Sequence, residues 1–302
     1  MTNPATEEPE AAALPQLLKL AGSIVAPTTL LTALLFYFGR LHSYWFFRHF
    51  GLNFTVLDLS TQDYIIRSVD GLFVPMIVIA IVGLIALTGF WAVHVALIRR
   101  GSPTLTRRVV LAVAVVGLVL LVVSIVALFR PDAFAATLGL PGLLLAAGVL
   151  LLAYAGRLLR TAARTPGPVA RPVWIPVAEW GGVFLLVSIG LFWAVAYYSA
   201  SVGTARALEV EARLANEPGV VLFSAQSLSL TAPGVTEVVC ANPAAAYRFR
   251  YDGLKLVLRS GDQYVFLPTA WTAAGGAAVV IPRTPSVRLE FTPSTAAIEP
   301  AC

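Results

Sequence analysis

Long apolar stretches dominate the first two thirds of the chain. Each is close to the roughly 20 residues that a helix needs to cross a bilayer. There are five: Leu20–Gly39, Phe73–Ile98, Val109–Phe129, Leu138–Gly156 and Val177–Tyr198. The third contains no charged residue and is apolar on every side, whereas a helix in water would keep a polar stripe. The pattern therefore predicts five transmembrane helices.

The apolar runs become shorter after the fifth stretch. Thr204–Asn216 has the spacing of a short amphipathic helix, and the runs that follow alternate with a period of two, which is typical of strands. Asp252-Gly253 predicts a hairpin turn, and Ser260-Gly261-Asp262 predicts a second turn. About seven strands are expected, within Val220–Ser224, Val235–Cys240, Tyr247–Leu267, Ala278–Pro282 and Val287–Phe291. They favour a small antiparallel sandwich or barrel.

These elements divide the chain into three parts. Residues 1–16, rich in Pro, Ala and Glu, are expected to be a disordered cytoplasmic tail. Residues 17–201 form the predicted five-helix transmembrane domain, and residues 202–302 form a predicted extracytoplasmic β domain preceded by a juxtamembrane helix. The predicted fold is thus membrane α-helical with a small antiparallel all-β extracytoplasmic domain.

Composition agrees with a membrane protein. The 302 residues are 58% apolar and only 12% charged, and the mean hydropathy is +0.81. These values exclude a disordered chain, a coiled coil and an ordinary cytosolic enzyme. The net charge of +5 raises the question of nucleic-acid binding, which the position of the charges answers.

The basic residues lie mainly on one side of the predicted membrane. The tail and the loops after the second and fourth stretches carry nine, against four in the other two loops. Positive charge marks the cytoplasmic side, so the N-terminus is predicted to be cytoplasmic and the C-terminus extracytoplasmic. Because all of the net positive charge falls on the inner side, insertion into the bilayer explains it, and no nucleic-acid partner is expected.

Ionisable side chains are absent from the middle of every predicted span. A proton- or sodium-coupled pump relies on such residues, so coupled transport is disfavoured.

The loop between the first and second spans contains the densest group of polar side chains. Its candidate site residues are His42, His49, Asp58, Asp63, Arg67 and Asp70. Their spacing matches no compact ligand set, so we expect neither a metal nor a catalytic site there. Ser60 and Asp63 instead predict a helix N-cap. The aromatic residues Tyr44–Phe47 and Phe50 suit the level of the lipid headgroups.

The predicted β domain has few catalytic groups. No histidine follows His94, which excludes a Ser-His-Asp arrangement within it, and no Gly-rich loop indicates a nucleotide cofactor. We expect no cofactor. A binding surface is conceivable at Arg248, Arg250, Tyr264 and Trp271. Cys240 and Cys302 are expected to form a disulfide, since both fall on the oxidising side of the membrane.

Two segments, residues 51–71 (GLNFTVLDLSTQDYIIRSVDG) and 247–268 (YRFRYDGLKLVLRSGDQYVFLP), resemble parts of uncharacterised multi-pass membrane proteins of GC-rich bacteria. The resemblance implies a bacterial plasma-membrane protein. It implies no activity and no site residues.

The leading hypothesis is a non-catalytic, membrane-anchored interaction or sensing module. Its partners would be the lipid bilayer and, for residues 202–302, a protein or a component of the cell envelope. The alternatives are a channel or uncoupled transporter for a small solute and, third, a membrane enzyme that uses the first extracytoplasmic loop.

Overall fold

The chain folds into two compact units. The computed structural model describes residues 9–100, 103–130, 132, 139–162, 172, 174–242 and 244–293. Met1–Phe38 and Ser68–Tyr198 form the helical unit, and Gly39–Arg67 with Ser199–Cys302 form the sheet unit. The sheet unit therefore joins most of the first predicted outer loop to the C-terminal region in one folded body.

Long helices make up the N-terminal part of the structure. They are α1 Pro9–His49, α2 Thr61–Arg100, α3 Pro103–Phe129, α4 Leu140–Ala162 and α5 Trp174–Arg213. Four described segments are long and apolar enough to cross a membrane: Gly71–Val93, Thr104–Phe129, Leu140–Arg160 and Trp174–Asn216. These correspond to the second to fifth predicted spans. The first, Leu20–Gly39, lies within α1. Side chains 20–24 fall outside the described set, so the count of five spans stays a prediction.

The surfaces of the four segments are apolar. At most 33% of the most apolar window of each segment is buried by the protein itself. Leu84, Leu111 and Leu118 each expose more than half of their surface, at 63%, 65% and 54%. Soluble proteins do not leave contiguous apolar patches of this extent in water. Lipid is therefore the natural surrounding for these helices.

Glycines bring the helices of the helical unit into close contact. A Cβ on Gly190 of α5 would lie 2.6 Å from the carbonyl oxygen of Gly142 in α4. A Cβ on Gly148 of α4 would lie 2.9 Å from the carbonyl oxygen of Gly117 in α3. Small residues allow such backbone contact, and dispersion forces then hold apolar helices together within a membrane.

The C-terminal region forms a six-stranded antiparallel sheet. Its strands are β1 Gly219–Ser224, β2 Thr236–Val239, β3 Phe249–Ser260, β4 Gln263–Pro268, β5 Val279–Pro282 and β6 Val287–Thr292. The order is β5-β4-β3-β1-β6, and β2 also pairs with β3. All pairs are antiparallel. The predicted juxtamembrane helix is present, but as the continuation of α5 rather than a separate element.

The predicted hairpin at Asp252-Gly253 is wrong, because β3 continues through it as one strand. The pairing with β1 passes from Leu222↔Tyr251 to Val220↔Leu254, which leaves one extra residue in β3. Gly253 has a φ of +84°. A glycine with positive φ serves a β-bulge as well as a hairpin turn, and here it forms the bulge. The turn predicted at Ser260-Gly261-Asp262 is confirmed, since Ser260 pairs with Gln263.

The bulge keeps apolar side chains on one face of the sheet. Tyr251 and Leu254 are three residues apart, yet both are fully buried in the same core cluster. Regular alternation would have placed them on opposite faces. The remaining buried members of that cluster are Val220, Leu222, Phe266 and Ile281. Val265 and Leu267 belong to two other apolar clusters of the sheet unit.

Gly253→Ala is expected to destabilise the sheet unit. The added Cβ would collide with the carbonyl oxygen of Gly234, and alanine disfavours the positive φ. We expect a loss of about 1–3 kcal/mol, seen as a lower melting temperature of the purified full chain. Gly275→Ala is the matched control, because nothing lies within 4 Å of its added Cβ. Equal melting temperatures for the two variants would contradict the bulge.

Candidate functional site

The segment between α1 and α2 folds onto the sheet within the sheet unit. It contains the 3₁₀ turn Phe54–Leu57. Phe47 and Leu57 are fully buried with Val265 of β4 in one apolar cluster. Their burial shows that this segment is part of the core of the sheet unit. Phe47 was expected at the level of the lipid headgroups. That prediction is wrong, because its side chain is buried inside the sheet unit.

Aromatic rings form the centre of a second apolar cluster, which we call the aromatic cluster: Phe46, Phe47, His49, Phe50 and Trp271. The ring of Phe46 meets those of Phe47 and Phe50 at centroid distances of 5.0 and 5.3 Å, both edge-to-face. Phe50 lies 5.1 Å from Trp271. Phe50 is 2% exposed, so the predicted headgroup position is wrong for it as well. Such ring pairs contribute about 0.5–1.5 kcal/mol each beyond their burial.

The end of α5 closes the aromatic cluster from the other side. Ala207 and Leu214 are buried against Phe50, Leu267 and Trp271. On the same helix, Gly203 lets the backbone approach α1, because a Cβ there would lie 2.7 Å from the carbonyl oxygen of His42. These contacts fix the end of α5 against both α1 and the sheet.

The side chains of His49 and Glu211 are in hydrogen-bond contact at the edge of the aromatic cluster. Nε2 of His49 lies 2.7 Å from Oε2 of Glu211, and the two side chains are 16% and 32% exposed. The imidazole ring stands edge-on to Phe50 at 5.2 Å and lies 5.9 Å from Trp271. The contact ties the last turn of α1 to α5.

Trp271 is a packing residue. It is 7% exposed, and its Nε1 has no hydrogen-bond acceptor among the described residues. A Cβ added to Gly276 would lie 2.6 Å from that nitrogen, so the indole edge is covered by backbone.

The predicted N-cap of α2 is confirmed. The backbone N–H and the hydroxyl of Ser60 donate to Oδ2 of Asp63 at 2.9 and 2.7 Å, and the N–H of Asp63 donates back to Ser60 Oγ at 3.2 Å. These hydrogen bonds from Ser60 hold the pKa of the Asp63 carboxyl below its usual 3.8. Asp63 is thus a capping residue in its ionised form.

Arg67 lies beside the aromatic cluster. Its guanidinium carbon is 5.8 Å from the ring centroid of Phe47. Burial lowers the pKa of Arg67, and the charge of Asp63 opposes that change. The contact between the guanidinium and the Phe47 ring is a cation–π interaction.

The other candidate polar residues of the loop do not come together with His49, Asp63 and Arg67 in one site. His42 is buried and its ring stacks on Phe46. Asp58 has a φ of +45° and ends the 3₁₀ turn. The side chain of Asp70 lies outside the described set. Among the described residues, no group of three His, Cys, Asp or Glu side chains is placed to hold a metal ion.

The four residues predicted as a binding surface on the β domain lie in different environments. Arg248 is exposed and Tyr264 is half-buried. Arg250, at 3% exposed, is buried, and its Nε donates to Oδ1 of Asp252 at 3.0 Å. Since Trp271 is buried too, these four residues do not form one open surface.

Tyr251 is fully buried, and its hydroxyl makes hydrogen bonds that the sequence pattern does not indicate. The hydroxyl of Tyr251 donates to Oε2 of Glu237 at 2.8 Å and accepts from the N–H of Leu228 at 2.6 Å. Burial is the main cause of a raised pKa for Tyr251. The alternation of Tyr247, Phe249 and Tyr251 indicates the buried face, but only the fold supplies the partners. These hydrogen bonds hold the segment before β2 to the sheet.

Comparison with known proteins gives no further assignment: the chain matches no protein-family model, no curated protein and no solved structure. The disulfide between Cys240 and Cys302 stays a prediction, because Cys302 lies outside the described residues. The described contacts of the site pack the ends of α1 and α5 against the sheet through apolar side chains.

The cap of α2 predicts an acid-sensitive contribution to stability. Because the pKa of Asp63 is lowered on folding, the cap stabilises the folded state above pH 3.8 and is lost as the pH falls through the folded-state value. Asp63→Asn should lower the melting temperature at neutral pH. Below pH 3.8, the melting temperature of this variant should fall less with decreasing pH than that of the wild type. Asp262→Asn, on an exposed turn residue of the sheet unit, is the control. An unchanged acid dependence in Asp63→Asn would contradict the assignment.

Proposed function

We propose that this chain is a bacterial plasma-membrane protein whose sheet unit is a non-catalytic interaction or sensing module. It would cross the membrane five times, with a cytoplasmic N-terminus and an extracytoplasmic C-terminus. The partner of the sheet unit would be a protein or a component of the cell envelope.

One observation carries the proposal: apolar clusters join the sheet to the ends of helices that contain the apolar segments. Phe47, Phe50 and Leu57 come from α1 and the segment that follows it, and Ala207 and Leu214 come from α5 and the turn that follows it. Close-packed interiors transmit a displacement instead of absorbing it. Binding at the sheet could therefore move the ends of α1 and α5.

The continuity of the helices supports the same function. α1, α2 and α5 each contribute residues to both units, and none of the three is interrupted where the units meet in the sequence. The predicted cytoplasmic segments are short, so a signal would leave through helix movement or a partner subunit.

The proposed orientation can be tested with reporters fused after Cys302. Because the inner side carries the excess of basic residues, we expect a C-terminal phosphatase to be active and a C-terminal green fluorescent protein to be dark. Fusions placed within the loop after α2 are the control and should show the opposite activities. Fluorescence from the C-terminal fusion would show that the orientation is wrong.

The interaction can be tested by photo-cross-linking the full chain in cells. Val239 of β2 and Phe291 of β6 are 62% and 61% exposed and receive the photoreactive residue. We expect a discrete protein adduct from a sheet position that does not form from Leu84, a lipid-facing control that is 63% exposed. No adduct with either a protein or an envelope component from either sheet position would contradict the proposal, and solute flux through the purified protein in liposomes would favour a channel instead.

A matched pair of variants separates binding from transmission in the same experiment. Leu57 is fully buried beneath the sheet, whereas its neighbour Val56 is 55% exposed. Leu57→Ala should keep the adduct but fail to correct the defect of cells that lack the gene, and Val56→Ala should behave as wild type in both assays. Full correction by Leu57→Ala at equal abundance would contradict transmission through this cluster.

A further inference from the structure

A charged cavity lies between α4 and α5 in the helical unit, far along the sequence from the aromatic cluster. It has a volume of about 110 Å³ and is lined by Ala153, Arg157, Arg160, Glu179, Trp180 and Val183. Arg157 and Arg160 stand in the last turns of the apolar segment Leu140–Arg160. Glu179 and Trp180 stand in the first two turns of α5. The cavity is therefore at an end of two membrane-crossing segments, where headgroups begin.

The side chains that line the cavity include two arginines and one glutamate, so one positive charge exceeds the negative charge. Arg160 donates from Nη1 and Nη2 to the two carboxylate oxygens of Glu179 at 2.5 and 2.7 Å. This paired geometry satisfies both oxygens and neutralises the two residues. Arg157 has no carboxylate partner among the described residues. Its charge remains available to an anion.

Trp180 holds Arg157 at the cavity. The guanidinium carbon of Arg157 lies 4.1 Å from the centroid of the Trp180 ring. A guanidinium packed against an aromatic face keeps the N–H donors at its rim free for hydrogen bonds. Ala153 and Val183 add apolar surface to the same cavity. A basic group, an aromatic ring and apolar side chains are what a lipid phosphate with its attached glycerol would contact.

We propose that this cavity binds a singly charged phosphate group, that of an anionic phospholipid headgroup, with Arg157 as the main donor. The remaining single positive charge matches a phosphodiester that bears one negative charge. Zwitterionic lipids bind less well, because Glu179 is already engaged by Arg160 and cannot pair with an ammonium group. A free phosphate ion shares the recognised chemistry, so the experiment must separate the two sources.

The test is native mass spectrometry of the purified full chain with three probes: phosphatidylglycerol, phosphatidylethanolamine and inorganic phosphate. We expect phosphatidylglycerol to bind more tightly than phosphatidylethanolamine. Arg157→Ala should weaken phosphatidylglycerol binding by at least about tenfold, the effect of losing one hydrogen bond to a charged group. Arg157→Lys keeps the positive charge and should recover part of the affinity, whereas a loss as large as that of Arg157→Ala would contradict recognition by charge.

The matched control is Arg107→Ala. Arg107 is an exposed arginine near the start of the apolar segment of α3, on the same predicted side of the membrane, and it does not line the cavity. Its variant should bind phosphatidylglycerol as the wild type does. Equal losses in the two alanine variants, or none in Arg157→Ala, would overturn the site. Binding of inorganic phosphate alone, lost in Arg157→Ala, would overturn the lipid assignment.

Discussion

The sheet unit depends on burying the aromatic and aliphatic side chains between α1 and α2 against the sheet. Without Phe47, Phe50 and Leu57, one face of β4 would be left open to water, and the end of α5 would lose the partners of Ala207. Fully burying a side chain of this size contributes about 1.5–3 kcal/mol. Together these contacts exceed what the surface ion pairs of the unit can supply, since an exposed pair contributes at most about 1 kcal/mol.

Two buried polar side chains of the sheet unit donate hydrogen bonds to carbonyl oxygens of segments packed beside them. The hydroxyl of Ser260 donates to the carbonyl oxygen of Leu57 at 2.8 Å, and Lys255 donates to the carbonyl oxygen of Glu217. Both side chains are about 95% buried. A buried donor that loses its acceptor costs about 1–3 kcal/mol, so these bonds specify one arrangement of the segments they join. Apolar contact drives the folding of the sheet unit, and these hydrogen bonds determine how the joined segments are aligned.

Local sequence patterns predicted local structure well and long-range contacts poorly. The second to fifth spans were predictable because each carries its own apolar surface, and the cap of α2 because Ser60 and Asp63 are three residues apart. Gly253 was misread because a positive-φ glycine fits a bulge and a hairpin turn equally well. The aromatic residues of the loop were assigned to the headgroup level because periodicity cannot tell a ring buried in protein from one buried in a membrane. The burial of Trp271 depends on Phe50, which the sequence places more than two hundred positions away.

That separation has a consequence for how the protein is made. The hydrogen bond from Ser260 to Leu57 joins residues 203 positions apart. At ordinary rates of synthesis, Leu57 and its aromatic neighbours are complete roughly 10 to 40 s before their partners exist. During that interval these side chains lack the strands that bury them in the folded chain. The core of the sheet unit is therefore closed only when the last strands have been made.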